Sequence, residues 1–268
     1  MWLLNTRSLD LHYYPQPADC PAYAVLTHCL KDGELTDLHD LPSQNLVSES
    51  QRASCTVIRE ACGEAQSFGV EFIWLDEVCI NRSSTAAISE ALNSMFQIYQ
   101  QADVCLVYLS DISIRVELLY PPETYIHQSQ WGTRVWVLQE IIASKHVQFY
   151  DKQWTRIGTK DSLLHFLTAF LGIDRPVLEN ADCLFDFSIG RRMSWAAQLS
   201  ADRPEDVAYS LLGIFRVNLS IIYGEGRRAF LRLQEEILRD TDDATLFAWQ
   251  SASLHQYRGI FSNCPAEF

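Results

Sequence analysis

Short, continuous runs of apolar residues recur along the first part of the chain and predict buried β-strands. The runs cover Tyr23–His28, Val70–Asp76, Val104–Leu109 and His146–Tyr150, with a short alternating strand at Leu9–Tyr13. Because the runs are apolar on both faces, they are typical of the interior of a mostly parallel sheet. Segments with helical spacing separate them, at about residues 48–68, from Ser84 to Tyr99 and from Trp131 to Ser144. This alternation predicts right-handed βαβ crossovers and an α/β fold with a doubly wound sheet.

Polar side chains stand where the predicted strands end. His28 closes the first apolar run, Asp76 and Glu77 follow the second, and Ser110 and Asp111 follow the third. In a doubly wound sheet, ligands bind beyond the carboxyl ends of the strands, near the point where the strand order reverses. These residues are therefore candidates for a binding site. The ordinary polarity of loops is the competing explanation.

The segment Trp131–Ser144 has an apolar stripe and a second, unusual face. A helix here places Val137, Leu138, Ile141 and Ile142 on one side, as required for docking on a sheet. Trp136 and Glu140 are four residues apart on the other side and lie one above the other. Either Glu140 is a solvated helix carboxylate and Trp136 belongs to a second layer, or the pair forms one wall of a pocket.

Helical patterns replace strands after Asp161. They cover Ser162–Leu171, Ile189–Leu199, Pro204–Phe215 and Arg227–Arg239. No linker composition separates them from the sheet, so the prediction is one unit over residues 1–268. Its parts are an α/β core (1–158), a helical lobe packed on the core (159–250) and a C-terminal extension (251–268). Arg203, Glu205, Asp206 and Tyr209 predict a buried polar network that joins lobe and sheet.

The composition excludes several classes of partner. A net charge of −13 argues against nucleic-acid and anionic-membrane surfaces, which require a broad positive field. The chain has no signal-peptide core and no apolar stretch of membrane-spanning length, so a cytoplasmic protein is expected. Its cysteines and histidines are scattered without C-x-x-C spacing, so neither a metal site nor a disulfide framework is indicated. Cys79, between Val78 and Ile80, reads as a buried structural thiol.

Four stretches, taken together, resemble the fungal heterokaryon-incompatibility (HET) domain. They are Tyr23–His28, Trp74–Asn81, Arg134–Glu140, and Glu205–Phe215 with Tyr223–Gly226. HET domains are similar to Toll/interleukin-1 receptor (TIR) domains, in which NAD-cleaving members carry the catalytic glutamate in a tryptophan-x-x-x-glutamate setting. The resemblance therefore implies a TIR-like, flavodoxin-like sheet with flanking helices. The chain departs from the family pattern near Leu30, where a tryptophan is usual, and at Arg82, where glutamine is common.

The resemblance also implies roles for individual residues. Glu140 is the expected catalytic carboxylate, and Trp136 offers a face for the ribose or the nicotinamide ring. Asp76 is a candidate for holding a ribose hydroxyl or orienting Arg134, and a loop cap is its equally weighted alternative. His28 is a candidate ligand contact, with a core histidine as the alternative.

Arg82 and Arg134 are the cationic candidates for the pyrophosphate of NAD. Ion pairs to structural carboxylates are the competing interpretation. The expected function is that of an effector of fungal cell death or allorecognition that consumes NAD as substrate, needs no cofactor and acts as a homo-oligomer. The alternative is a non-enzymatic signalling module that works by self-association and partner recruitment.

Overall fold

The computed structural model describes residues 1–15, 19–28, 49–114, 121–251 and 259–268, with the backbone alone for residues 49–55. Leu30 lies outside these ranges. The strands are β1 (Trp2–Asn5), β2 (Leu11–Tyr13), β3 (Tyr23–His28), β4 (Phe72–Trp74), β5 (Val104–Leu109), β6 (Val147–Asp151) and β7 (Arg156–Thr159). The helices are α1 (Glu49–Ser67), α2 (Asp76–Cys79), α3 (Thr85–Gln101), α4 (Pro122–Gln128), α5 (Val137–Ala143), α6 (Leu164–Leu171), α7 (Arg175–Glu179), α8 (Ile189–Ser194), α9 (Asp206–Tyr209), α10 (Leu212–Phe215) and α11 (Arg228–Arg239).

The sheet has seven strands in the order β2-β1-β4-β3-β5-β6-β7. β4, β3, β5 and β6 are parallel to one another, whereas β1, β2 and β7 pair antiparallel at the two sides. The predicted α/β class with a mostly parallel sheet is confirmed, and β1 and β7 are strands that the sequence reading had not proposed. Because β4 and β5 lie on opposite sides of β3, the strand order reverses at β3. The carboxyl ends of β3 and β5 therefore flank the switch point.

The central strands form where the apolar runs are longest. Every residue of β3 and of β5 is buried, which is why these runs lack the alternation of a surface strand. The Ser84 side chain caps α3 by accepting the Ala87 N–H at 3.2 Å, as the sequence predicts. Gly69 follows α1 with a φ of 76°, the left-handed conformation that ends helices. Phe68, placed on the apolar face of α1 by its spacing, is 41% exposed instead.

The predicted helix Trp131–Ser144 is shorter than its pattern suggested. A 3₁₀ turn covers Gln130–Thr133 and α5 begins only at Val137. Between them, Arg134 forms a parallel bridge with Ser200, and the Val135 N–H donates to the Ser200 carbonyl at 2.9 Å. This non-local pairing takes the place of a first helical turn. The predicted helix Pro204–Phe215 is likewise divided, into α9 and α10.

The chain divides into two compact units that interleave in sequence. The sheet unit comprises Met1–Ala91, Ile98–Trp131 and Ser144–Leu163. The helical unit comprises Leu92–Gln97, Gly132–Ala143 and Leu164–Phe268. The helical unit thus includes two segments that precede residue 158. Throughout the described ranges, no helix combines the length and the apolar character needed to cross a membrane.

Bonds within the helical unit join its separate segments. Asn93 pairs with the backbone of Leu219, accepting its N–H at 2.9 Å and donating to its carbonyl at 3.0 Å. The Gln139 amide donates to the Tyr209 carbonyl at 3.3 Å. Since all seven residues of α5 are buried, this helix is an interior element and not an amphipathic surface helix.

Candidate functional site

Four polar side chains meet at the carboxyl edge of the sheet unit, and they are named the His28 cluster here: His28, Asp76, Glu77 and Arg82. His28 is the last residue of β3, and Asp76 and Glu77 form the first turn of α2, directly after β4. The His28 Nε2 lies 3.0 Å from Glu77 Oε2 and 3.9 Å from Asp76 Oδ1. The carboxylates of Asp76 and Glu77 lie 3.8 and 3.9 Å from the Arg82 guanidinium.

The His28 cluster is buried at one end and exposed to solvent at the other. The side chains of His28 and Glu77 are 6% and 16% exposed, whereas those of Asp76 and Arg82 are 41% and 52% exposed. Burial by itself would raise the pKa of Glu77. Its hydrogen bond with Asp76 and the charge and hydrogen bond of His28 outweigh burial, so the pKa lies well below its usual range. The cluster therefore holds an ionised carboxylate that a solvent-borne ligand can approach through Asp76 and Arg82.

Sequence reasoning grouped His28, Asp76 and Arg82 as binding residues, and the structure brings these three together. Glu77, which contacts His28 most closely, is a strand-end candidate to which the sequence assigns no individual role. The sequence does not distinguish between two successive carboxylates after a strand. The turn of α2 determines which of them lies closer to His28. The competing interpretation of Arg82, an ion pair with carboxylates, agrees with its position beside Asp76 and Glu77.

Cys79, at the end of α2, has no nucleophilic character. Its thiol is 5% exposed and contacts the Leu75 N–H at 3.5 Å. Burial raises the pKa of this thiol to about 12, so the thiolate is absent at neutral pH. The structural reading of Cys79 is therefore confirmed.

Asp111, which follows β5 at the same edge, orders the backbone beyond α4. Its carboxylate accepts hydrogen bonds from the Ser129 hydroxyl and the Gln130 N–H, both at 2.7 Å. The indole of fully buried Trp131 then donates to the Thr27 hydroxyl at 3.3 Å. These bonds fix the chain that leads toward α5, and they give Asp111 a structural role.

Arg134, Trp136 and Glu140 lie along one segment of the helical unit. Arg134 and Trp136 are half-buried, whereas the Glu140 residue is only 7% exposed. The Glu140 N–H donates to the Trp136 carbonyl at 3.3 Å, so the two residues are one turn apart as predicted. The interpretation of Glu140 as a solvated carboxylate is wrong. Whether Glu140 shares a cleft with His28 and Asp76 stays a prediction.

A polar network around Glu205–Tyr209 is present within the helical unit, and its predicted role in joining the lobe to the sheet stays a prediction. One Glu205 oxygen accepts the N–H groups of Gly224 and Gly226, both at 2.7 Å. Gly224 and Gly226 have φ values of 101° and 60°, which side chains with a Cβ rarely adopt. The Tyr209 hydroxyl donates to Glu225 at 3.0 Å. The network thus folds the Gly224–Gly226 turn back onto α9, which explains why this motif needs both its acids and its glycines.

Asp206, in the same network, makes stability depend on pH. Burial raises its pKa from 3.8 to about 6, although the Tyr223 hydroxyl donates to it at 2.9 Å. The folded state therefore binds more protons than the unfolded state between these values, and stability falls as pH rises through this window. We expect Asp206→Asn to stabilise the protein at pH 7.5 by up to roughly 3 kcal/mol, and to lose this advantage below pH 4.

Denaturant unfolding at several pH values measures the effect of Asp206→Asn. The matched control is Asp242→Asn, which removes an exposed carboxylate outside the surroundings of Asp206 and leaves the bond between Tyr223 and Asp206 intact. A stability difference between the Asp206 variant and the unsubstituted protein that stays constant from pH 4 to pH 7.5 contradicts the prediction.

Comparison with known proteins identifies the family. Residues 23–119 match the family described as Heterokaryon incompatibility protein (HET). The chain contains a HET domain. The matched range includes every member of the His28 cluster and ends before α5. Residues 228–261 match a second family, described as Domain of unknown function (DUF8212).

The chain is similar to the "Vegetative incompatibility protein HET-E-1" of Podospora anserina. The two are 38% identical over 225 residues, which are 82% of this chain and 16% of the relative. The chain thus corresponds to a small part of that protein. No solved structure matches the chain.

Proposed function

We propose that this HET domain acts in fungal heterokaryon incompatibility by cleaving NAD to nicotinamide and ADP-ribose, with Glu140 as the catalytic carboxylate. The observation that carries the proposal is a glutamate that is 7% exposed and lies one turn after a half-buried tryptophan. Burying a carboxylate is costly, so buried carboxylates are held by partners and are frequent at functional sites. The name of the curated relative supports the part in incompatibility.

The strand order supports a TIR-like reading of the sheet. With β3 flanked by β4 on one side and by β5 and β6 on the other, the parallel strands follow the order 2-1-3-4 in sequence. Flavodoxin-like sheets have this order, and they bind nucleotides at the switch point. The His28 cluster lies at that edge, where His28, Asp76 and Arg82 are proposed to contact the ribose and the pyrophosphate.

The reaction needs little beyond a carboxylate. Nicotinamide is cationic in NAD and leaves as a neutral molecule, so no general acid has to protonate it. The bond to the ribosyl carbon breaks with the build-up of positive charge on the ribose ring, and a water molecule then adds to that carbon and loses a proton to give ADP-ribose. A desolvated Glu140 carboxylate stabilises that charge more in the transition state than in the bound substrate, which is the difference that accelerates the reaction. Arg134, on the segment before α5, is the second candidate for the pyrophosphate.

We expect Glu140→Gln to keep the fold and to lower NAD cleavage by at least about 100-fold, the loss typical of removing one electrostatic stabiliser. Glutamine preserves the shape of the side chain, so packing in α5 survives while the charge is lost. Chromatographic detection of released nicotinamide measures activity, and circular dichroism confirms the fold. The matched control is Glu235→Gln on α11, which removes an exposed carboxylate in the same way.

Assembly has to be included in the NAD experiment because TIR-like activity is expected in oligomers. The assay is therefore run on the free protein and on protein fused to an oligomerising scaffold. Equal nicotinamide release by the Glu140 variant and the unsubstituted protein removes Glu140 from the mechanism. No release by the oligomer at all favours the second function.

The second candidate function is signalling by self-association, and the edge of the sheet favours it. β2 is an edge strand that carries Tyr13. The ring centroids of Tyr13 and Trp2 are 5.0 Å apart, and the two residues are 53% and 41% exposed, respectively. An edge strand can pair with another chain, and the exposed aromatic pair formed by Tyr13 of β2 and Trp2 of the adjacent β1 adds an apolar contact surface there. Sedimentation of a Tyr13→Lys variant tests this function, since the variant should remain monomeric at concentrations where the unsubstituted protein assembles.

A further inference from the structure

We propose that His28, Asp76 and Glu77 bind a divalent transition-metal ion, Mn²⁺ or Zn²⁺, at the carboxyl edge of the sheet unit. The inference goes beyond cleavage by Glu140. Two of the metal donors, His28 and Asp76, are also proposed to contact NAD, so metal binding is measured without NAD. Sequence spacing does not indicate this site, because its donors are separated by almost fifty positions. The fold assembles them by placing the ends of β3 and β4 side by side.

The spacing of the donor atoms fits one ion. One ligand atom from each of the three residues lies within 4.8 Å of the other two. The measured distances from His28 Nε2 are 3.0 Å to Glu77 and 3.9 Å to Asp76. Ligands that surround a metal ion at about 2.1 Å are about 3 to 3.5 Å apart, which lies between these two values. A small rotation of the half-exposed Asp76 side chain closes the remaining gap.

The surroundings hold two of the donors in place and leave the third adjustable. His28 is 6% exposed at the end of a fully buried strand, so its ring has little freedom. Glu77 is fixed by the turn of α2, and its Oε2 lies 3.0 Å from His28 Nε2. Asp76 lies at the rim, where solvent molecules can complete the coordination sphere.

The donor types select the class of metal. The two carboxylates supply the negative charge that a divalent cation needs, and the His28 imidazole supplies a nitrogen donor. Imidazole favours Zn²⁺ and related ions, whereas carboxylates favour Mn²⁺, Mg²⁺ and Ca²⁺. Ca²⁺ requires six to eight oxygen ligands, and Mg²⁺ binds mainly through water and oxygen. A mixed set of one nitrogen and two oxygens therefore fits Mn²⁺ or Zn²⁺ best.

Arg82 is the cation that a metal has to displace. Its guanidinium lies 3.8 and 3.9 Å from the two carboxylates, longer than a good charged hydrogen bond, and its side chain is 52% exposed. Such a pair is weak because water screens it. The arginine can turn outward when an ion enters, so metal binding and the Arg82 ion pairs should compete.

The test uses the full chain after treatment with a chelator. Mn²⁺ is titrated while the spin-resonance signal of free Mn²⁺ is recorded, and Zn²⁺ is titrated by calorimetry against a competing chelator, with Mg²⁺ as the third ion. We expect one Mn²⁺ or Zn²⁺ ion per chain and at least 10-fold weaker binding of Mg²⁺.

Variants assign the ion to the proposed site. Loss of an outer partner of a metal ligand already lowers affinity by about 10- to 100-fold, so Asp76→Asn should lower it at least as much. Asp76 is half-exposed, so this variant is expected to fold. His28 is buried, and His28→Gln is not used because the change can disturb the fold as well as the site. Arg82→Gln should tighten binding by about 10-fold because it removes a nearby positive charge. His165→Gln, at an exposed histidine, is the matched control.

Each outcome decides for or against the site. Binding that weakens in the Asp76 variant, strengthens in the Arg82 variant and is unchanged in the His165 variant supports the proposal. No binding at millimolar Mn²⁺ and Zn²⁺ overturns it. Zn²⁺ binding that is unaffected by Asp76→Asn also overturns it, because cysteines elsewhere then hold the ion.

Discussion

A chain that ends after residue 158 is expected to be insoluble, although it contains nearly the whole sheet. The reason is that the helical unit also contains segments that precede the cut. Its segment Gly132–Ala143 precedes the cut and pairs with residues that follow it. The Ser200 carbonyl accepts the Val135 N–H at 2.9 Å, and the Ser200 N–H donates to the Thr133 carbonyl at 2.7 Å. Truncation removes these partners and exposes the apolar side chains that pack with them.

The buried side chains of α5 indicate how much folding free energy the truncation removes. Val137, Leu138, Ile141 and Ile142 are each at most 1% exposed. At roughly 1.5 to 3 kcal/mol for each large apolar side chain, their exposure removes on the order of 6 to 12 kcal/mol. The whole stability of a domain is about 5 to 15 kcal/mol, so the truncated sheet should not fold stably.

A second truncation separates the helical unit from the damaged strand. A cut after residue 158 also severs β7, whereas a cut after Leu163 keeps the complete sheet unit. Both chains should pellet on expression and should lack a cooperative melting transition after refolding. If the longer chain is soluble and melts cooperatively, α5 does not depend on the part of the helical unit that follows Leu163, and the expectation of one folding unit over the chain is wrong.

The strands of the sheet were the most predictable part of the fold. β3 and β5 coincide with the predicted runs because a strand buried on both faces needs an uninterrupted apolar sequence. β7 was not predicted, since its sequence Arg156–Thr159 has one buried residue and no alternation. β1 was not recognised as a strand either, although Leu3 and Leu4 are fully buried. Strands of four residues are too short to show a period.

The segment before Glu140 could not be predicted because its structure depends on a distant residue. The spacing from Trp131 to Ser144 satisfies a helix throughout, and helix propensity gives no reason for a break. The pairing of Arg134 with Ser200 overrides that preference. The same limitation applies to the burial of Glu140, because a helical projection shows which residues share a face and cannot show how many faces are covered.

Part of the candidate site could be predicted from the sequence, because the ends of parallel strands meet at one edge of the sheet. The rule that ligands meet the carboxyl ends of parallel strands selected His28 and Asp76 without knowledge of the strand order. The order places β4 beside β3, so these residues become neighbours. The rule could not rank Asp76 against Glu77, and it could not reveal that three metal-ligating atoms converge, because their distances depend on side-chain directions at the turn of α2.

Substitution of Gly213 by alanine is expected to destabilise the protein by at least about 3 kcal/mol, the upper part of the range for overpacked cores. Gly213 lies in α10, and a Cβ added there would stand 2.1 Å from the Phe96 Cβ and 2.8 Å from the Gln139 Oε1. The Phe96 Cβ is attached directly to the backbone of α3, so it cannot rotate away. Alanine favours a helix by only about 1 kcal/mol relative to glycine, and the clash therefore decides the sign.

Gly63→Ala is the matched control for Gly213→Ala. Gly63 lies inside α1, and a Cβ added there meets nothing within 4 Å among the described residues. Only the helix preference then changes, and we expect a stabilisation of about 0.5 to 1 kcal/mol. Calorimetric melting of both variants compares the two effects in one protein. The close packing of α10 against Phe96 would be disproved by a Gly213 variant that melts at or above the temperature of the unsubstituted protein, because a Cβ can be accommodated there only if the helices stand further apart.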